Sequence, residues 1–264
     1  EYEMGCTFEH VGYHLTWLCA MFGPVESVTA FSRQTLPDKT DRLLTPADTP
    51  DFSVASLNFR SGVTARVTCS IAAPYDHRMR IIGNKGMLTA DTYRDYRCPV
   101  YLERFSKVSM NARKAIAVRS NTLLQALFGI GGRKLRLLEL PQPGRSAPAQ
   151  SPHRWWHPKD QLQRLKRRQL GQQDKTIGIA ELADAIATDR PQFPSHDFTL
   201  HLTELTLMIQ RAGPNGTTHA LQTTFAPVMP PLAARNAAID YGIAPPRSLL
   251  SRLLDSLLDR LHQH

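Results

Sequence analysis

Two histidines one helical turn apart have the residue type and spacing best suited to chemistry. His10 and His14 are four residues apart in an apolar run that ends at Gly23-Pro24. Four residues make just over one helical turn, so both rings project from one helix face. Imidazole exchanges protons near neutrality and also binds metals, which leaves a metal pair, a substrate contact and a purely structural role open. Glu9 is out of place for an HExxH zinc motif, which disfavours the metal.

Three further residues are candidate substrate contacts. Glu9 and Tyr13 flank His10 in the same predicted helix, and His77 lies in the mixed ionisable run Tyr75-Asp76-His77-Arg78 before a predicted strand. That run could approach a small-molecule substrate from the side of the sheet, although it is also typical of a solvated turn. Lys85 lies at a predicted hairpin tip, where we expect solvent contact and not catalysis.

The positive charge of the chain is concentrated in one segment. The net charge is +9, and basic residues dominate from Lys107 to Lys175. Within this segment Trp155-Trp156-His157 could stack on single-stranded nucleic acid, but two tryptophans that pack the segment onto a sheet are the simpler interpretation. We therefore read residues 106–175 as a basic insert and expect no nucleic-acid partner.

Composition predicts a folded cytoplasmic protein. The 264 residues are 42% hydrophobic, which suffices for a core, and no apolar run approaches the ~20 residues that span a bilayer. The cysteines Cys6, Cys19, Cys69 and Cys98 form no CxxC pair and read as reduced thiols. The amphipathic helix predicted over 248–262 has balanced charges, so we expect no membrane partner. The first residues read like the inside of a strand, and a preceding segment is expected.

Hydrophobic periodicity predicts an α+β fold with a large open, mainly antiparallel sheet and helices packed on one of its faces. An amphipathic period indicates helices, and alternation around short turns indicates hairpins. Helices are predicted over 10–22, 177–187, 198–211 and 248–262, and strands over 25–31, 52–73 (a hairpin), 78–90 (a second hairpin) and 99–105, with a short strand candidate at 134–140.

Four segments, in order, resemble the C-terminal domain of the glucose-fructose oxidoreductase, inositol dehydrogenase and MocA family. They are Gly12-Tyr13-His14-Leu15 through Val28, Phe59-Arg60-Ser61-Gly62-Val63, Ile81 through Leu88, and Ile179 through Ile186 with Arg190-Pro191. The resemblance covers roughly residues 5–91 and 177–211, and the basic insert falls outside it.

The resemblance implies half of a dehydrogenase. Family members join a nucleotide-binding Rossmann domain, which holds NAD or NADP, to this sheet domain, and no strand, GxGxxG loop and helix occurs in this sequence. The family carries an aspartate and, four residues later, a histidine that faces the substrate; here these positions are His10 and His14. His14 would exchange a proton with a sugar or cyclitol hydroxyl. The exposed sheet face implies a homodimer or a higher homo-oligomer.

Two functions and one domain division follow. The chain is either the substrate-binding half of an NAD(P)-dependent oxidoreductase or a non-catalytic dimeric interaction module left after loss of the Rossmann domain. Residues 1–213 would form the substrate-binding and dimerisation domain, with the basic insert inside it. Residues 214–264 would supply a C-terminal strand, a linker and the amphipathic helix.

Overall fold

The structure is a computed structural model that describes residues 3–41, 49–72, 76–92, 99–135 and 177–226. The chain divides into two compact units, the first made of Glu1–Pro74 and Asp174–Met229 and the second of Tyr75–Gln173 and Pro230–His264. The predicted helix over 248–262 and Cys98 lie outside the described residues. So does most of the strand candidate at 134–140, and the predicted boundary at residue 213 stays a prediction.

The first unit is a four-stranded antiparallel sheet with helices on one face. In chain order it contains α1 (Cys6–Phe22), β1 (Val25–Arg33), β2 (Phe52–Phe59), β3 (Thr64–Ser70), α4 (Ile177–Ala187), α5 (His196–Gln210) and β8 (Thr217–Ala220), with strand order β3-β2-β1-β8. Both α1 and α5 pack on the sheet and on each other. The α+β class and the predicted elements are therefore confirmed here.

The core of the first unit lies between this sheet and the two helices. Alternate residues of β1 and β2 face inward, among them Val28 and Leu57, and they meet Leu15 of α1 and Leu205 of α5, all of them 0% exposed. On the opposite face the strands carry polar side chains, as with Thr29, whose hydroxyl bonds that of Thr218 at 2.9 Å. The period-two burial is what strand geometry requires of a sheet covered on one side.

The second unit contains its own antiparallel sheet. It consists of β4 (Arg78–Gly83), β5 (Gly86–Asp91), β6 (Val100–Arg104), α2 (Ala112–Arg119), α3 (Thr122–Phe128) and β7 (Arg133–Lys134), with strand order β4-β5-β6-β7. The predicted 78–90 hairpin is confirmed, and it pairs with β6 through β5. The described strands thus form two sheets of four, where the sequence predicted one large sheet. The β5 edge of the hairpin pairs with β6, in the same unit.

Candidate functional site

Helix α1 carries the candidate residues, and its own sequence sets where it begins and ends. It begins after Gly5, whose φ of +90° suits glycine and where a Cβ would collide with the side chain of Gln210. It ends at Gly23, with φ +86° and an N–H that bonds the carbonyl of Cys19, before Pro24 prevents continuation. The helix therefore starts four residues before the predicted position and ends where the sequence indicated.

Four ring-bearing side chains line one side of α1. His10, Tyr13, His14 and Trp17 follow the i, i+3, i+4, i+7 spacing that brings side chains together on a helix; we call them the ring stripe. The rings of His10 and Tyr13 stack with centroids 6.3 Å apart and planes at 25°. The His14 and Trp17 rings meet edge to face, with centroids 6.0 Å apart and planes at 85°.

Burial varies along the ring stripe. His10, His14 and Trp17 are half-buried, whereas Tyr13 is 65% exposed. Trp17 packs against the core of the first unit, so the His14 ring contacts a side chain that is itself held in place. Sequence reasoning missed Trp17, although its position three residues after His14 is the signal that could have found it. The arrangement places two imidazoles and a phenol at the surface, and the indole of Trp17 packs between His14 and the core.

The start of α1 is tied to the sheet by buried polar contacts. Thr7 Oγ1 lies 2.6 Å from Ser53 Oγ, and the Cys6 thiol donates to the carbonyl of Asp51 at 3.0 Å. Both helix residues are almost completely buried. Since a buried polar group without a partner costs free energy, these contacts favour one position of the helix on β2.

Asp51 holds the loop after β1 against this same region. Its carboxylate accepts hydrogen bonds from the N–H and hydroxyl of Thr35 at 2.7 and 2.6 Å and from the Leu36 N–H at 3.0 Å. The Lys39 ammonium lies 3.3 Å away, and both charged side chains are 2% exposed. Burial opposes the charge, but these hydrogen bonds outweigh it and lower the pKa of Asp51.

His201 on α5 is a buried histidine with a structural role. It is 0% exposed, and its Nε2 accepts the Val25 N–H at 3.0 Å, which requires an unprotonated nitrogen there. Its Nδ1 lies 3.0 Å from Thr223 Oγ1 and 3.2 Å from the Thr223 carbonyl. Burial lowers the pKa of His201, consistent with a neutral ring. This histidine joins α5 to the start of β1.

The other two predicted site residues, Glu9 and His77, belong to different units of the chain. Glu9 is exposed in the first turn of α1. His77 precedes β4 in the second unit, where its carbonyl accepts the N–H and hydroxyl of Thr92 at 3.2 and 3.0 Å. Nearby, the hydrogen bond from Arg78 to Asp76, at 3.0 Å, lowers the pKa of that exposed carboxyl. The part of Glu9 and His77 in the site stays a prediction.

The glycine cluster of the second unit does not have the arrangement of a dinucleotide-binding loop. The glycine cluster Gly129-Ile130-Gly131-Gly132 follows helix α3 and precedes β7, whereas a pyrophosphate site needs a strand, then glycines, then a helix. Gly129 is the left-handed cap of α3, and the Gly131 N–H donates to the carboxylate of Glu103 at 3.0 Å. These glycines therefore serve the local turn.

The described ranges contain neither a candidate metal cluster nor a helix suited to span a membrane. No group of three or more histidine, cysteine, aspartate or glutamate side chains there could hold a metal ion. Within the same ranges, none of the helices is both long enough and apolar enough to cross a membrane.

Comparison with known proteins places the ring stripe inside a family domain. Residues 1–89 match the sequence model of the GFO/IDH/MocA C-terminal domain. Over this stretch the chain is similar to the C-terminal domain of that family. The predicted resemblance is thereby confirmed for the part of the chain that contains α1 and extends into β5. The family match ends before β6 and the basic insert, and the predicted resemblance over 177–211 lies beyond it.

Three solved structures are similar to larger parts of the chain at low identity. The aldose-aldose oxidoreductase from Caulobacter crescentus, complexed with glycerol, is 18% identical over 80% of this chain and 45% of its own, with a TM-score of 0.46. An NAD binding oxidoreductase from Klebsiella pneumoniae is 17% identical over 75% and 46%, with a TM-score of 0.42. An oxidoreductase from Agrobacterium radiobacter in complex with NAD+, L-tartaric acid and magnesium is 13% identical over 83% and 51%, with a TM-score of 0.41.

The chain spans about half the length of these structures. All three TM-scores lie below 0.5, so the superpositions carry no functional conclusion for this chain. No curated protein matches the sequence.

Proposed function

We propose that this chain is the substrate-binding half of an NAD(P)-dependent oxidoreductase that acts on a hydroxyl of a sugar or cyclitol. The ring stripe is the observation that carries the proposal, because it combines two half-buried imidazoles with the family domain. The nucleotide cofactor, NAD or NADP, is assigned to a Rossmann domain joined to this chain.

His14 is the proposed acid–base residue. Its ring is held edge to face against Trp17, which packs on the core, so one orientation of the imidazole is favoured. An imidazole accepts the proton of a substrate hydroxyl when the hydride leaves the same carbon, and it returns that proton in the reverse direction. The proposed role of Trp17 is to position His14.

His10 and Tyr13 are proposed to bind the substrate. The two rings stack, and the exposed phenol offers a face and a hydroxyl to a polyol. His10 occupies the place of the family aspartate, so it supplies hydrogen bonds to a neutral ligand in place of a fixed negative charge. Glu9 and His77 are additional proposed contacts, a homodimer through the polar sheet face is the proposed assembly, and the cytoplasm is the proposed location.

The test is a dehydrogenase assay on the protein encoded by the complete gene. Purified protein is offered NAD or NADP with a panel of aldoses and inositols, and reduced nicotinamide is followed by absorbance. We expect turnover that His14→Gln lowers by about 10²- to 10⁴-fold, the usual contribution of general acid–base catalysis. His219→Gln is the matched control, since that histidine lies on β8 and bonds Thr217.

The alternative is a non-catalytic interaction module. It predicts no turnover with any polyol and no effect of His14→Gln on assembly. Measurable turnover that survives His14→Gln would instead place catalysis elsewhere and contradict the assignment of His14.

A further inference from the structure

The second unit carries a stretch of uniform charge that the proposed oxidoreductase function leaves unused. From Arg104 to Leu135 no acidic residue occurs, and the seven basic residues are Arg104, Lys107, Arg113, Lys114, Arg119, Arg133 and Lys134. The stretch lies beyond the family match, which ends at residue 89. It contains both helices of the second unit, α2 and α3.

Large apolar side chains protrude from the same stretch. Only one side of α2 is buried, where Ala115 and Val118 pack with Val108 and Ile130 in a small core. On the other side Ile116 is 69% exposed, and it has Arg113 and Arg119 three residues before and after it. That spacing places both guanidinium groups beside the isoleucine on the helix surface.

The neighbouring segments add two more exposed apolar side chains. Met110, just before α2, is 67% exposed, and Leu123, in the first turn of α3, is 80% exposed. The helix starts that carry them are fixed by asparagine caps: Asn111 accepts the Lys114 N–H at 3.1 Å, and Asn121 accepts the Leu123 N–H at 3.0 Å. We call Met110, Arg113, Ile116, Arg119 and Leu123 the basic apolar surface.

We propose that the basic apolar surface docks on an anionic phospholipid membrane. Cations without intervening carboxylates are attracted to acidic headgroups, and aliphatic side chains beside them enter the boundary between headgroups and acyl chains. The protruding side chains are aliphatic, whereas single-stranded nucleic acid is held by stacking on aromatic rings. This contact lies on the membrane surface and is independent of the proposed oxidoreductase activity.

A membrane partner was not expected from the sequence. That expectation rested on the lack of a long apolar run and on the balanced charges predicted over 248–262. Neither feature concerns α2 or α3. The sequence alone does not reveal which apolar residues of α2 and α3 are exposed, because that depends on which side of α2 packs on the small core.

Vesicle co-sedimentation of the 264-residue chain tests the proposal. Vesicles of phosphatidylcholine mixed with phosphatidylglycerol are compared with vesicles of phosphatidylcholine alone, over a series of sodium chloride concentrations. We expect binding to the anionic vesicles alone, weakening as salt rises. The double variant Arg113→Gln/Arg119→Gln should reduce the bound-to-free ratio by about tenfold or more, because each cation near the surface contributes to attraction.

Two further variants separate insertion from simple charge attraction. Ile116→Ser/Leu123→Ser removes aliphatic groups but keeps every charge, and we expect a reduction of about tenfold. Ile179→Ser/Ile186→Ser is the matched control: these side chains are 71% and 73% exposed on α4, among Glu181 and Asp184, and their loss should leave vesicle binding unchanged. Circular dichroism establishes that each variant is folded.

Three results would overturn the proposal. They are absence of binding to anionic vesicles, equal binding to neutral ones, and binding to anionic vesicles that Ile116→Ser/Leu123→Ser leaves intact. A single-stranded oligonucleotide serves as the competing ligand. Binding to it in the absence of vesicle binding would assign the surface to nucleic acid.

Discussion

Among the described residues, the two units differ in how many polar side chains they bury: seven lie in the first unit, whereas Glu103 is the one in the second. In the first unit Asp51, His201 and Thr7 are buried and hydrogen-bonded, and they connect loops and helices to one sheet. In the second unit most charges of α2 lie at the surface, over a core cluster of four residues. A buried hydrogen-bonded network favours a single geometry, as a reacting site needs. An exposed charged surface suits a partner without fixed shape.

Loss of Asp51 should produce the largest change in stability. Asp51→Ala would leave the Lys39 ammonium buried beside the Thr49 carbonyl without its counter-charge. Removing one member of a buried ion pair costs about 3–5 kcal/mol in the free energy of unfolding. Urea denaturation of the variant and of the unmodified chain measures this loss in the free energy of unfolding.

Lys39→Met is the matched control for Asp51. It leaves the carboxylate with its hydrogen bonds from Thr35 and Leu36, so we expect a smaller loss. A loss as large as that of Asp51→Ala would show that the carboxylate is not the centre of this network.

Truncation of Leu15 should rank second. Leu15→Ala opens a cavity beneath α1, and buried leucine-to-alanine changes cost about 2–5 kcal/mol. The comparable change in the second unit, Val118→Ala, removes less volume from a smaller core and should cost less. Hydrogen exchange resolves the two units separately. If Val118→Ala were the more damaging, the contrast between a rigid first unit and a lightly packed second unit would be wrong.

The pH dependence of unfolding should follow His201. Burial lowers its pKa below the ordinary value of about 6.5; Glu204 opposes that shift and Arg60 adds to it. Below pH ~6.5 the unfolded chain therefore binds the proton more readily than the folded chain. As the pH is lowered further, the free energy of unfolding decreases by up to about 1.4 kcal/mol per pH unit. Above that pH the contribution is fully present.

Urea midpoints measured between pH 8 and 5 test this dependence, because that range spans the ordinary histidine pKa of about 6.5. His201→Gln should be less stable at pH 8 but should show a shallower dependence on pH. If stability depended on pH as steeply in this variant as in the unmodified chain, His201 would be excluded as the source of the pH dependence.

The smallest effect is expected at α4. Arg190 bonds both oxygens of Glu181, at 2.6 and 2.8 Å, and Asp184 at 2.6 Å, and the bond from Arg190 lowers the pKa of Glu181 to about 2. Because these groups are exposed, we expect Arg190→Gln to speed amide exchange in α4 severalfold, with the exchange of α5 unchanged. Uniform acceleration across the first unit would mean that this cluster supports more than one helix.

Local patterns predicted most helices and strands of both units. The hairpins were visible because their alternation and turn residues are close in sequence, and α4 occupies the predicted range Ile177–Ala187. Helices α2 and α3 were missed because their periodicity is weak. Asn111 and Asn121, which cap them, were the available signals.

The environment of the site was less predictable than its residues. His10, Tyr13 and His14 follow from helical spacing alone. The buried partners do not, because Val25 and His201 are 176 residues apart in sequence and Cys6 and Asp51 are 45 apart. Pairing between distant segments also decided that the strands form two sheets, which alternation within a strand cannot reveal.

The most direct test of the site is the response of histidine side-chain resonances to a polyol. In the 264-residue chain, labelled at the imidazole nitrogens, myo-inositol and glucose are titrated to saturation. The account predicts that the His10 and His14 signals shift together, that those of His201 and His219 do not, and that Tyr13→Ala weakens the response. Shifts confined to histidines outside α1, or none at saturating ligand, would contradict the ring stripe as the substrate site.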